Sequence, residues 1–154
     1  MDKSSRVILV VEDDPNDVFF LRRALTEARV ELPIQVVSDG EQAIHYLGGV
    51  GKFADRDRYP LPCLVILDLK LPKKNGLEVL SWVRRHEELG DLPVFMLTSS
   101  GEPRDRSEAE RHGVEVFRVK PVSLAELLQV AREIRREADE HCGSARPGDP
   151  PGRK

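Results

Sequence analysis

Short apolar runs recur along this chain at residues 7–11, 34–37, 64–67, 94–97 and 116–119, each four or five residues long and dominated by Val, Ile, Leu and Phe. Runs this continuous suit strands buried on both faces of a parallel sheet, whereas strict alternation would mark a half-exposed strand. Helical stretches separate them, so the repeat is strand then helix, which predicts an α/β domain with helices on both sides of the sheet. Parallel strands all finish at one edge. Four of these runs stop on reactive side chains: Glu12-Asp13, Asp68, Thr98 and Lys120-Pro121. Three carboxylates, a hydroxyl and an ammonium, distant in sequence, are thereby predicted to meet.

The helices have readable starts. Asp14-Pro15-Asn16-Asp17 supplies an N-cap, a proline at the first helical position and an acid in the first turn, ahead of Val18, Leu21, Leu25 and Ala28 at helical spacing. Asp39-Gly40 leads into a second helix with Ala43, Ile44 and Leu47 inward. A third begins near Asn75-Gly76 with Leu77, Leu80 and Val83 on one face, and the last begins at Ser123 with Glu126 three residues on, a capping box. The fourth, near residues 102–112, has almost no apolar face beyond Ala109 and is expected to be the most loosely held, because helices in proteins depend mainly on tertiary packing.

Carboxylates brought together repel and raise one another's pKa values unless a counter-ion is present. Oxygen donors with room for water suit Mg²⁺, which keeps part of its hydration shell and is usually held by one or two carboxylates with phosphate oxygens. Lys120 adds a fixed positive charge and Thr98 a hydroxyl donor, which completes a place for a phosphoryl group. The pattern points to phosphate chemistry at an aspartate.

In that order, the acidic pair, Asp68, Thr98 and Lys120-Pro121 resemble the response-regulator receiver domains of two-component signalling. Pro72 and Asn75-Gly76 after Asp68, and Ser99-Ser100 after Thr98, agree with the resemblance, which runs from about Arg6 to Glu140. It implies a flavodoxin-like, doubly wound five-stranded sheet of order 2-1-3-4-5 with five helices, its site beyond the carboxyl ends of strands one and three. It also implies a single-domain response regulator that takes a phosphoryl group from a histidine kinase onto Asp68. Such a protein is no ordinary enzyme, since it catalyses only its own phosphorylation and dephosphorylation.

The resemblance assigns roles residue by residue. Asp68 is the nucleophile, a carboxylate already ionised at neutral pH. Asp13 and Asp68 bind Mg²⁺ directly, Glu12 through water, and Lys70 through its backbone carbonyl. Lys120 steadies the equatorial phosphoryl oxygens and Thr98 bonds one of them. Phe117 stands where the family's switch aromatic stands, and it reads equally as a core phenylalanine. Lys120-Pro121 resembles a cis peptide of the family. The acidic run ending at Asp17, with the long segment before the third strand, looks like the small regulators associated with bacterial phytochromes, so a bacteriophytochrome kinase is the implied partner. Two alternatives stay open, a phosphorylation-independent adaptor of the same fold and a phosphate sink for the kinase. An aspartyl-phosphate phosphatase would want an acid two positions after the nucleophile, where Lys70 stands.

Composition removes other classes. A net charge of −3 gives no basic patch for nucleic acid. The first apolar run is too short for a signal peptide or membrane span and ends in three acids. No G-x-G-x-x-G follows the first strand, which leaves a dinucleotide site without its fingerprint. Cys63 and Cys142 resemble no disulfide or metal framework, and a reducing cytoplasm is expected. The four histidines show no metal-ligand spacing and are expected at the surface.

The predicted organisation is a receiver domain over residues 6–141 between disordered ends, 1–5 and the Gly- and Pro-rich 142–154. Residues 48–62 form an unusually long connection, either a solvated insertion or a partner-binding loop. On the last helix, Leu124, Leu127, Leu128, Val130, Ala131, Ile134 and Ala138 span an arc of about 160°, wider than the ~100° stripe one sheet requires. That excess, with Leu127, Val130 and Ile134 at one edge, predicts a homodimer through this helix, against a deeply seated helix that buries it all.

Overall fold

The computed structural model describes residues 6–143. Five parallel strands, β1 (Ile8–Val11), β2 (Ile34–Val37), β3 (Leu64–Leu67), β4 (Val94–Thr98) and β5 (Val116–Val119), lie in the order β2-β1-β3-β4-β5. Helices α1 (Pro15–Glu27), α2 (Gly40–Gly48), α3 (Gly76–Arg85), α4 (Pro103–Arg111) and α5 (Leu124–His141) connect or follow them. This is the expected flavodoxin-like architecture. Because side chains alternate across a strand, Leu9, Val11, Val65, Leu67, Val94 and Met96 face α2, α3 and α4, while Ile8, Val10, Leu64, Ile66, Phe95 and Leu97 face α1 and α5.

Local chemistry sets the helix starts. Asp14 accepts from the Asn16 amide at 2.9 Å, Asp39 from Gln42 at 2.7 Å and Ser123 from Glu126 at 3.1 Å. The reciprocal capping box forms at Asn75 and Glu78, whereas at Ser123 only the serine's half of it is made. In α3, Val79 is buried and Leu77 only half-buried, and in α4 Ala109 is the single buried residue, as expected.

The connection at residues 48–62 is a folded unit. A 3-10 turn, Gly51–Ala54, buries Phe53 against Tyr46 and Tyr59, whose rings lie within 5.9 Å of one another. Arg56 closes it, donating to the carbonyls of Tyr46, Leu47 and Tyr59 at 2.8 to 3.0 Å. Two of these are carbonyls in the last turn of α2, which have no partner within the helix. The Tyr46 hydroxyl donates to the Pro60 carbonyl at 2.8 Å.

Burial pushes the Tyr46 phenol from its ordinary value of 10.0 up to about 12, with Arg56 opposing. The unfolded phenol ionises first, so the unfolded chain binds fewer protons between these values. This contribution to stability is complete below pH 10.0 and is lost as pH rises through about 12. Between about pH 9 and about pH 11 the unfolding free energy from urea melts is expected to fall by on the order of 1 kcal/mol more in the wild type than in Tyr46→Phe. Equal falls would show that the phenol ionises normally.

Three expectations are corrected. Val130 and Ile134, assigned to a partner surface, are 7% and 0% exposed within one chain. Helix α5 packs against both the sheet and α1, and two neighbours take a wider apolar arc than one. Cys63 and Cys142 form a disulfide across 79 residues, because the end of α5 comes back beside the start of β3. Cys142 is therefore a buried cap of α5, not the first residue of a disordered tail, and Arg6 donates to the carbonyls of Cys142 and Gly143. The rest of both expected disordered ends lies outside the described residues. The Lys120–Pro121 bond is trans, like every peptide bond among the described residues. Proline only lowers the preference for trans to about 0.5–1 kcal/mol, so the dipeptide permits cis without requiring it.

Candidate functional site

The carboxyl edge of the sheet collects the site. Val11 pairs with Leu67, so Glu12 and Asp68, each one residue further, emerge side by side. The Asp68 amide donates to the Val11 carbonyl at 3.1 Å and the Lys120 amide to the Thr98 carbonyl at 2.7 Å, which extends the ladder to the reactive residues themselves. Gly76, the first residue of α3, lies against the same turn, where a Cβ would fall 2.3 Å from the Asp68 carbonyl oxygen. Only glycine lets α3 approach the nucleophile's backbone so closely.

Asp68, Glu12 and Thr98 are 4%, 7% and 0% exposed, so this is a buried polar centre and not a surface acid cluster. Lys120 Nζ reaches Glu12 Oε1 at 2.6 Å, Asp17 Oδ2 at 2.8 Å and Asp68 Oδ2 at 3.0 Å. The remaining Asp68 oxygen accepts from the Lys70 amide at 3.2 Å, the other Glu12 oxygen from the Asp14 amide at 3.0 Å, and Thr98 Oγ1 from the Ser100 amide at 3.2 Å. Burial and the charge of Asp68 push Glu12 up to about 7, against hydrogen bonds from Lys120 and Asp14 that favour its anion. Burial would lower the Lys120 pKa, but hydrogen bonds to Asp17, Glu12 and Asp68 outweigh it and raise it.

Glu12, Asp13 and Asp68 each place a carboxylate oxygen within 4.8 Å of the others. An all-oxygen, crowded and partly exposed set fits a hard divalent cation. Phe117 is 4% exposed, with the Arg106 guanidinium 5.5 Å from its ring. Beside Lys120 opens a cleft of about 310 Å³, walled in part by Phe20, Leu124 and Leu127. At the opposite end of the sheet, His141 Nε2 lies 3.3 Å from Glu137 and 3.6 Å from Glu115, so this half-buried histidine is not the plain surface residue expected.

The predicted Glu12, Asp13 and Asp68 are brought together and Lys120 binds two of them, while Thr98 stands at the end of the neighbouring strand. Sequence reasoning missed Asp17 as a member. Its available signal was position, in the first turn of the helix that follows the acidic pair, but an acid in a first turn also reads as a partner of the helix dipole.

Residues 8–132 match the family model of the response regulator receiver domain. Response regulator Rcp1 of Synechocystis is 30% identical over 84% of this chain and 86% of its own length. A Mn²⁺-bound form of Rcp1 superposes with a TM-score of 0.78 over 92% of this chain and 99% of that one, at 29% identity. The phosphorylated cyanobacterial phytochrome response regulator RcpA gives a TM-score of 0.78 at 29% identity, covering 93% and 98% of the two chains. The bacteriophytochrome response regulator RtBRR gives 0.72 at 39% identity, covering 95% and 84%. Among the described residues, no helix is long and apolar enough to cross a membrane.

Proposed function

The chain belongs to the response regulator receiver family, signalling switches controlled by phosphorylation, and we propose that Asp68 is its phosphoacceptor and a sensor histidine kinase its donor. The observation that carries this reading is the buried Asp68 carboxylate held 3.0 Å from Lys120 Nζ, with oxygens of Glu12 and Asp13 nearby. An Asp68 oxygen bonds to phosphorus as the P–N bond of the kinase phosphohistidine breaks, and the electron pair leaves on the imidazole nitrogen. Lys120 offsets charge on the equatorial oxygens in a largely buried setting, where fixed dipoles and charges act most strongly. Thr98 offers its hydroxyl to one of them. Once Thr98 is drawn there, the inward Phe117 relays the change through packing, since its ring has no hydroxyl to bond.

Mg²⁺ suits the acidic set. Asp13, Asp68 and the Lys70 carbonyl would hold it, and bound there it would offset negative charge on the transferring group. Both Glu12 oxygens already accept hydrogen bonds, from Lys120 and the Asp14 amide, which supports a water-mediated role for this residue. Calorimetric titration is expected to show Asp13→Ala weakening Mg²⁺ binding at least about tenfold and Glu12→Gln only a fewfold. Equal losses would place Glu12 directly on the ion.

The likeness to RcpA and RtBRR supports a bacteriophytochrome as the partner kinase. Exposed Val122, Leu124 and Phe20 beside Lys120 suit a protein partner at this edge. With Val130 and Ile134 buried, what remains of the expected α5 dimer surface is Leu124 with half-buried Leu127 and Leu128, so kinase contact, not self-association, is the interaction assigned to it. The compartment of this reading is the cytoplasm, the setting of a kinase partner, and the Cys63–Cys142 disulfide is a feature that this reducing compartment does not favour.

Intact mass after incubation with acetyl phosphate and Mg²⁺ tests the reading, with one phosphoryl adduct mapped to Asp68 as the expected result. Absence of any adduct would favour the adaptor, and steady phosphate release without an adduct a phosphatase. Rapid return of phosphate to the kinase would favour the sink.

A further inference from the structure

We propose that Asp17 is a positioning residue for phosphoryl transfer, holding the Lys120 ammonium in place from the first turn of α1. The inference rests on the roles given above to Asp68 and Lys120. An ammonium has three N–H donors. Here all three are taken, by Glu12 at 2.6 Å, Asp17 at 2.8 Å and Asp68 at 3.0 Å. Only one of these partners reacts. When an Asp68 oxygen becomes part of an acyl phosphate, the charge that attracted Lys120 moves onto the phosphoryl oxygens.

A lysine tethered by Asp68 alone would be released at that moment to wander on its flexible four-carbon stem. Glu12 and Asp17 form a base of two fixed acceptors that keeps the third N–H aimed at the reacting centre throughout. Asp17 alone among the three lies outside the cluster of possible metal ligands, Glu12, Asp13 and Asp68. It therefore serves the lysine without serving the ion. Its backbone is held by the Asp14 cap and Pro15 at the start of α1, so the carboxylate has a rigid origin. As an ordinary first-turn acid it would point into water, whereas its oxygen lies within hydrogen-bond reach of Nζ across 103 residues of sequence.

The test is the rate of phosphorylation by acetyl phosphate, in which an Asp68 oxygen bonds to phosphorus and acetate leaves with the electron pair of the broken P–O bond. Asp17→Ala is expected to lower the rate at saturating donor by between about tenfold and a hundredfold, the scale of a misplaced catalytic group. The half-saturating donor concentration and Mg²⁺ affinity are expected to stay as in the wild type. Asp17→Asn, which still accepts a hydrogen bond, is expected to recover part of the rate. In a Lys120→Ala background, Asp17→Ala is expected to add nothing. A wild-type rate in Asp17→Ala, or the same further slowing without Lys120, would overturn the role of Asp17. A wild-type rate in Lys120→Ala would instead overturn the reading of Lys120 on which it depends.

Discussion

Asp68→Asn is expected to take up no phosphoryl group from acetyl phosphate or from a phosphorylated kinase while remaining folded. The amide has no carboxylate nucleophile, so the loss is complete, not a slower rate. The fold survives because Asn keeps an oxygen for the Lys70 amide, which Asp68 now accepts at 3.2 Å, and because Lys120 retains Glu12 and Asp17. Removing this charge also removes one of the causes that push Glu12 up to about 7, so the Glu12 carboxyl is expected to titrate lower in the variant. Intact mass and a urea melt check the two halves. An adduct forming at the wild-type rate would place the acceptor elsewhere.

The largest effect on stability is expected from Ile134→Glu. Ile134 is 0% exposed, in a cluster with Leu21, Leu25, Ile66 and Phe95. Its replacement both empties an apolar site and buries an unpaired carboxylate, and the loss is expected to exceed about 4 kcal/mol, enough to unfold a marginally stable domain. Leu124→Glu, on the same helix but 69% exposed, is expected to change stability by no more than about 0.5 kcal/mol. Urea midpoints decide. Similar midpoints for the two variants would mean that α5 does not pack as described, and would revive its apolar margin as a partner surface.

Much of the site was legible because burial on both faces of a parallel sheet demands continuous apolar runs, and because parallel strands end at one edge. Those two facts located Glu12, Asp13, Asp68, Thr98 and Lys120 together without any knowledge of strand order. The order 2-1-3-4-5 itself came from resemblance, since periodicity carries no information about which strands are neighbours. Helix starts at Asp14, Asp39 and Ser123 were legible for a local reason, since a cap and its amide lie two or three residues apart.

What was misread involves partners far apart in the chain or a segment with two neighbours. The width of the apolar arc on α5 was read correctly, but whether a second copy or α1 fills it depends on where α1 lies. Residues 48–62 looked polar and Gly-rich, yet Phe53 and Arg56 find Tyr46 and the end of α2 only after the chain doubles back. Class of fold, the edge at which chemistry occurs and the residue types available there are all written in local pattern. Packing alone brings Lys120 to Asp17 as well as Glu12 and Asp68, joins Cys63 to Cys142, and puts Val130 and Ile134 in the core. Local periodicity records only which face of an element is apolar. Contacts such as these, 52 to 108 residues apart, exist only once packing has set the strands and helices at fixed distances.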